Sequence, residues 1–352
     1  MSAKRSELVL FGAIFLLVLA GCKGGDTSTG APTTPFLGGT RGLEISFLEG
    51  SPPDEVTDGD TFDFQAVVKL RNQGEADLKK GQVNISLIGF LPSDFRSNLN
   101  DFSDSDLINK NPDDDLLPRK KDSEGNIIES VETFKTFPKD DKNFKFKNTL
   151  DGNTVFILRA DVCYAYHTDA LSEICVLENM VDVPDDSICD PSETKTIFSS
   201  GSPVQITGFR QNVAGKNKLQ FSFDIEHSGS GKVFEQEVDA QGNVIINCPK
   251  SASDRRTKED EVVVNVTTGL KDVDGVAAAG ASLRCTGLND KTDVSESSGP
   301  VKLVNGKRTI TCTQELAPDR TDFKKSVGIT VDFNYLDSAD KEILVKHLVS
   351  DS

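Results

Sequence analysis

KLQFSFDIEH, residues 218–227, decides the fold class: apolar Leu219, Phe221, Phe223 and Ile225 alternate with Lys218, Gln220, Ser222, Asp224 and Glu226 without a break. A side chain that changes face at every residue has the period of a strand with one side on a core, whereas helical spacing groups apolar residues three and four apart. The alternation recurs outward in both directions, at LEISFL (43–48), TFDFQAVVKL (61–70), QVNISLIGF (82–90), NTVFILRADV (153–162), EVVVNVT (261–267), KRTITCT (307–313) and SVGITVDFNY (326–335). Gly, Asp and Asn punctuate these runs, and no long stretch carries helical spacing. Many short strands separated by turn residues give an antiparallel sandwich or barrel, while a parallel sheet would need amphipathic helices between its strands. The expected fold is all-β.

The same stretch has a counterpart within the chain. Phe64, Ala66, Val68, Leu70, Asn72, Gly74 and Leu78 align at a constant offset of 155 with Leu219, Phe221, Phe223, Ile225, His227, Gly229 and Val233. In each, an alternating strand ends in a polar-Gly turn and a second strand begins, so each reads as the central hairpin of its own sandwich. Any β-hairpin has this form too, and duplication and coincidence both stay open. GDTFDFQAVVKLRNQGEADL, residues 59–78, resembles the CARDB-type immunoglobulin-like module, in which such a strand runs into a glycine turn. GLEISFLEGSPPDEV before it resembles the entry strand of such modules in archaeal surface proteins. DVCYAYHTDALSEIC and VKLVNGKRTITC resemble the cysteine-bearing half of archaeal lipoprotein-like proteins. The resemblance covers about half the chain. It implies a surface module of sandwich fold used for adhesion, spacing or assembly, and it carries over no catalytic residue; the chain as a whole is expected to form two consecutive immunoglobulin-like β-sandwich domains.

The N-terminus reads as an address. Lys4 and Arg5 precede an apolar run of 13 residues, 8–20. A membrane-spanning helix needs about 20 such residues, so this is the length of a secretory signal. LAGC, residues 19–22, resembles the prokaryotic lipobox, which implies cleavage of a signal at 1–21 and lipidation of Cys22. In residues 23–40, 13 of 18 are Gly, Ser, Thr or Pro, too few apolar groups to fold, so 22–39 is expected as a flexible tether. Removing the signal takes the formal charge from −17 to −18, which argues against nucleic acid or anionic headgroups as partners.

Six cysteines remain, Cys163, Cys175, Cys189, Cys248, Cys285 and Cys312, all in the second half of the chain. In an oxidising compartment an even set of six gives three disulfides, with 15 possible pairings. A hairpin turning near Asp169 would set Cys163 opposite Cys175; SLRCTG and RTITCTQ as neighbouring strands would join Cys285 to Cys312; Cys189 and Cys248 would then be left. Zinc is not expected, because no close C-x2-C or H-x3-H spacing occurs among these residues or His167, His227 and His347. Asn84-Ile85-Ser86 and Asn265-Val266-Thr267 match the N-x-[ST] acceptor, with each Asn on the face opposite its apolar neighbours.

Residues 92–130 carry eight Asp and two Glu against five basic residues, and read as a solvated acidic insertion rather than core. Neither DFSDSD nor NPDDD has EF-hand spacing, and DVDG, 272–275, reads as a turn. No G-x-S-x-G, H-E-x-x-H or G-x-G-x-x-G occurs, and SGSGKV, 228–233, departs from the phosphate-loop pattern at Glu226 and Val233. With no Trp and three Tyr, aromatic platforms for sugars or single strands are thinly supplied.

These observations lead to a signal at 1–21, a lipidated tether at 22–39, a first sandwich at 40–162 with its insertion at 92–130, a cysteine-rich connector at 163–202 and a second sandwich at 203–347. The expected role is a non-enzymatic, lipid-anchored extracytoplasmic protein without cofactor or metal, meeting other surface proteins or surface polysaccharide. The alternatives are a ligand-binding lipoprotein for a sugar or divalent cation, and a surface hydrolase whose carboxylate pair a linear reading hides.

Overall fold

The structure is a computed structural model and describes residues 34–96, 101–139, 141–271, 276–278 and 281–348. The signal, Cys22, most of the tether and the DVDG turn lie outside the described residues. Thirteen strands have three residues or more: β1 Leu43–Phe47, β2 Glu55–Thr57, β3 Ala66–Asn72, β4 Val83–Ile88, β5 Glu132–Phe137, β6 Thr154–Val176, β7 Val204–Val213, β8 Lys218–His227, β9 Lys232–Phe234, β10 Glu261–Thr267, β11 Glu296–Lys302, β12 Lys307–Glu315 and β13 Phe323–Lys346. Seven two-residue strands, one α-helix, Ala252–Lys258, and three short 3-10 turns, Lys80–Gln82, Pro92–Phe95 and Asp104–Asp106, complete the described elements. The fold is all-β.

β6 and β13 form a spine. They pair antiparallel from Thr154 against Val345 to Val176 against Phe323, a span of roughly 75 Å at the rise of an extended chain. β4 extends this sheet beside β6, β10 and β11 extend it beside β13, and β2 and β9 add to β13 at its end and middle. Two small sheets, β1-β3-β5 and β7-β8-β12 with Arg284–Cys285, complete the layers.

The two halves of the chain repeat one topology. In each, the second strand is central in the small sheet, and a partner strand (β4 or β10) lies beside a long one (β6 or β13). The internal likeness at offset 155 falls on β3 and β8, the two central strands. β3 buries Ala66, Val68 and Leu70; β8 buries Leu219, Phe221, Phe223 and Ile225; the spine answers with Leu158, Ala160, Val162, Val327, Ile329 and Val331. Each Val, Leu, Ile or Phe of this set contributes roughly 1.5–3 kcal/mol by leaving water, and the buried set is continuous across both halves.

Three expectations change. The boundary expected between Val162 and Cys163 falls inside unbroken β6, and the end of β13 completes the sheet of the first half, so the chain from Pro35 onward is one compact unit. No hairpin turns near Asp169, which sits in β6 opposite Thr330. Asp161, His167 and Asp169 resemble turn punctuation, but they are the outward positions of a strand whose inward positions are Val162, Tyr164, Tyr166, Thr168 and Ala170, all buried. The acidic insertion is also packed rather than merely solvated: Phe95, Phe102, Leu107 and Leu116 enter the core, with Phe95 edge-on to Phe146 and Phe156 at 5.2 and 5.3 Å. Its carboxylates meet cations, Asp104 with Arg96 at 2.6 Å and Asp113 with Lys135 at 2.7 Å. A charge count conceals four apolar anchors spaced along a polar segment.

Candidate functional site

The halves meet where Ala165 of β6 pairs with Asn334 of β13. All three tyrosines of the chain are buried beside this waist, with Tyr164 5.7 Å from Tyr166 and 5.6 Å from Tyr335 between ring centroids. Their hydroxyls seat the neighbouring chain. Tyr166 Oη donates to Asn72 Oδ1 at 2.9 Å, Leu43 N donates to Tyr164 Oη at 3.2 Å, and Gly231 N donates to Tyr335 Oη at 2.8 Å. Tyr335 Oη also lies 3.1 Å from His227 Nε2. Asn72 and His227 occupy corresponding places at the ends of β3 and β8, so the waist is built twice with different polar caps. Burial pushes the His227 pKa down, against the weaker pull of Asp260. Burial raises the pKa of each tyrosine as its leading cause.

Glycine permits the close approach here. A Cβ on Gly74 would stand 2.1 Å from Tyr166 Oη, and one on Gly229 would stand 2.2 Å from Tyr335 Oη. On the same side, residues 37–39, expected at the end of the flexible tether of 22–39, are instead strapped down, Leu37 and Gly38 by one carboxylate. Glu75 accepts the backbone N–H groups of Leu37 and Gly38 at 2.8 Å each and of Gly201 at 2.6 Å. Gly39 O accepts Ser202 N at 3.1 Å and Gln205 Nε2 at 2.9 Å. A recess of about 330 Å³ opens beside this strap, lined by Arg41, Glu44, Gln73, Ser230, Asp337 and Ser338.

Across the outer face of the spine lies an arm, residues 235–250. The buried amide of Asn334 donates to Ile245 O at 3.0 Å, to Glu235 O at 3.3 Å and to Asn247 O at 3.4 Å. The Cys163–Cys248 disulfide staples the arm to β6. Between arm, β4 and β6 lies a second recess of about 240 Å³, with Asn84, Asn109, Asp161, Asn247 and Lys250 around a floor of Leu336 and the disulfide. Burial raises the Asp161 pKa, opposed by Lys250 and Arg159. Nothing in the residue types distinguished Asp161 from any other outward-facing strand residue; only the arm, folded from 85 residues away, makes it part of a recess.

The six cysteines form three disulfides, Cys163–Cys248, Cys175–Cys189 and Cys285–Cys312. Of the expected pairs, Cys285–Cys312 forms between paired strands. The Cys163–Cys175 and Cys189–Cys248 pairs do not, because β6 runs straight through both Cys163 and Cys175 and holds them far apart. Asn84 faces out from between buried Val83 and Ile85, its Oδ1 accepting from Asn111 at 3.2 Å. Asn265 is more enclosed: its amide nitrogen donates to Glu296 at 3.0 Å and its Oδ1 is buried without a partner. Cys22 lies outside the described residues. Among the described residues no group of three or more His, Cys, Asp or Glu is placed to hold a metal ion, and no helix is long and apolar enough to cross a membrane.

Comparison with protein-family models and with curated proteins gives no match. Among solved structures, the chain is aligned with the secreted serine protease VesC from Vibrio cholerae at 7% identity and a TM-score of 0.15, covering 83% of this chain and 50% of that one. It is also aligned with the structure of manganese lipoxygenase of Gaeumannomyces graminis and partial structure of zonadhesin of Komagataella pastoris, at 10% identity and a TM-score of 0.11, covering 86% and 92%. The chain thus spans half the length of VesC. Scores this low carry no argument about fold or activity.

Proposed function

We propose that this is a lipid-anchored extracytoplasmic protein that acts without catalysis, as a stiff β-module for adhesion, spacing or assembly at a cell surface. The observation that carries this reading is the cysteine partition. All six cysteines of the folded part are joined in disulfides, which belong to an oxidising compartment, and the seventh stands alone in the LAGC string at Cys22. Two acyl chains on a terminal cysteine suffice for stable anchoring, at about 0.8 kcal/mol per buried methylene. The likeness of residues 59–78 to CARDB-type modules, and of the cysteine-bearing half to archaeal lipoprotein-like proteins, supports a surface role with other surface proteins or polysaccharide as partners. Intact-mass measurement of the chain extracted from membranes of its own cells tests the anchor. The expected mass is that of a chain beginning at an acylated Cys22, and a free thiol there or an uncut signal would refute it.

A further inference from the structure

The recess on the outer face of the spine carries an inference that does not depend on the anchor. Its polar side chains have hydrogen-bonding capacity that the described chain does not use. Asp161, whose side chain is only 16% exposed, accepts no hydrogen bond, and its nearest cation, Lys250 Nζ, is 4.0 Å away. Asn84 uses only its Oδ1, and neither the Asn109 nor the Asn247 side chain has a partner within the described chain. A carboxylate as enclosed as Asp161 is normally hydrogen-bonded, whereas Asn84 is half-buried and Asn109, Asn247 and Lys250 are exposed around it, so the recess offers one enclosed acceptor carboxylate ringed by amides able to donate and accept and by one ammonium.

The composition selects among ligand chemistries. An anion would meet Asp161, a cation would meet Lys250, and the two charges offset one another within the recess. Hydroxyl groups suit the set, because each can donate to Asp161 or an amide oxygen and accept from an amide nitrogen or Lys250. The floor of Leu336 and the disulfide gives apolar contact for the C–H face of a ring. About 240 Å³ lies below the roughly 300 Å³ at which pockets for drug-sized ligands begin, which suits one sugar ring. We propose that this recess binds a neutral monosaccharide unit, Asp161 and the amides of Asn84, Asn109 and Asn247 taking its hydroxyls. The site exists only because the arm of the second half is stapled over strands of the first.

The test is calorimetric titration of the full chain, disulfides intact and free of glycan, with D-glucose, D-galactose, D-mannose and N-acetyl-D-glucosamine, and separately with calcium chloride. Saturable millimolar binding of at least one sugar is expected. Asp161→Asn should weaken it by about tenfold, the size of one charged hydrogen bond, and Ser230→Ala in the other recess should leave it unchanged. Asn109 has φ +51°, a conformation glycine adopts freely, so Asn109→Gly removes an amide without straining the turn and should also weaken binding even if Asp161→Asn misfolds. Absence of saturation with all four sugars, sugar binding that survives both Asp161→Asn and Asn109→Gly, or Asp161-dependent calcium binding without sugar binding would each overturn the proposal.

Discussion

Replacing Asn72 with alanine tests whether one buried amide ties the halves together. Asn72 is fully buried at the end of β3. Its Nδ2 donates to Ala76 O at 2.7 Å and to Leu116 O at 3.2 Å, and its Oδ1 accepts from Gly74 N at 3.2 Å and from Tyr166 Oη at 2.9 Å. One side chain therefore satisfies the turn after β3, the acidic insertion and the spine. Alanine would leave the Ala76 carbonyl and two donors unpaired where water does not reach, while Leu116 O keeps the Leu78 amide at 3.3 Å. At about 1 kcal/mol for each stranded group, the lower end for a buried one, the loss is about 3 kcal/mol. Tyr166→Phe removes only one of these bonds and should cost about 1 kcal/mol. Asn72→Ala and Tyr166→Phe combined should fall short of additivity by about that amount. His227, the corresponding cap in the second half, is only half-buried with one side-chain partner, so His227→Ala should resemble Tyr166→Phe. Urea unfolding of the oxidised chain, at an m-value matching the parent, measures all four. A cost for Asn72→Ala no greater than for Tyr166→Phe would refute the claim that this amide holds three segments.

Acid should loosen the point where the end of β13 is held. Asp58, 1% exposed, accepts from Leu348 N, His347 Nδ1 and Leu150 N, and these bonds, that of Leu348 foremost, hold its carboxyl at about 2. A pKa depressed in the folded chain contributes stability that is full above the unfolded value and lost as pH falls through the folded one. The melting temperature should therefore drop between about pH 4 and about pH 2, and Asp58→Asn should flatten that part of the profile; an Asp58→Asn profile with the parent's slope would refute the assignment. The disulfides should differ by the chain they close: Cys163–Cys248 spans 85 residues and Cys175–Cys189 spans 14, which chain entropy converts to about 4.5 and about 3 kcal/mol. Paired serine substitutions compared by urea unfolding should follow that order, and a reversed order would show that native contacts of the arm outweigh closure.

Most strands were legible because alternation is local. EVVVNVT and KLQFSFDIEH match β10 and β8 residue for residue. β7 and β11 escaped the same reading for local reasons as well: VQITGFRQNV changes register between Thr207 and Arg210, where Gly208 interrupts the pattern, and ESSGPVK carries Gly and Pro within its run. The length of β6 was hidden because Asp161, His167 and Asp169 look like turn residues until their inward neighbours are known to be buried. Cysteine count gave the number of disulfides but not the pairing, since Cys163 meets Cys248 only through an arm that crosses the sheet. The recess was illegible for the same reason: its residues come from β4, from the insertion, from β6 and from the arm, and no spacing in the chain joins them.

The shared spine changes what the repeat means physically. Two sandwiches on a linker could swing, each keeping its own core and edges. Here the first half of β6 and the second half of β13 belong to one side of the waist, and their remaining halves belong to the other. Neither half can leave without opening the pair between Tyr164 and Tyr335, and every inward side chain of both long strands would lose cover at once. The repeat is thus held by exchange, each half lending the other a strand it cannot complete alone. The N-terminal end of this body lies at the waist, where Glu75 ties Leu37 and Gly38 to Gly201. A pull arriving there would meet three hydrogen bonds to one carboxylate before it reached β1, and would act across the junction of both halves rather than at the free end of either. Under the proposed anchoring through Cys22, an attachment at the shared waist would keep both ends of the spine available.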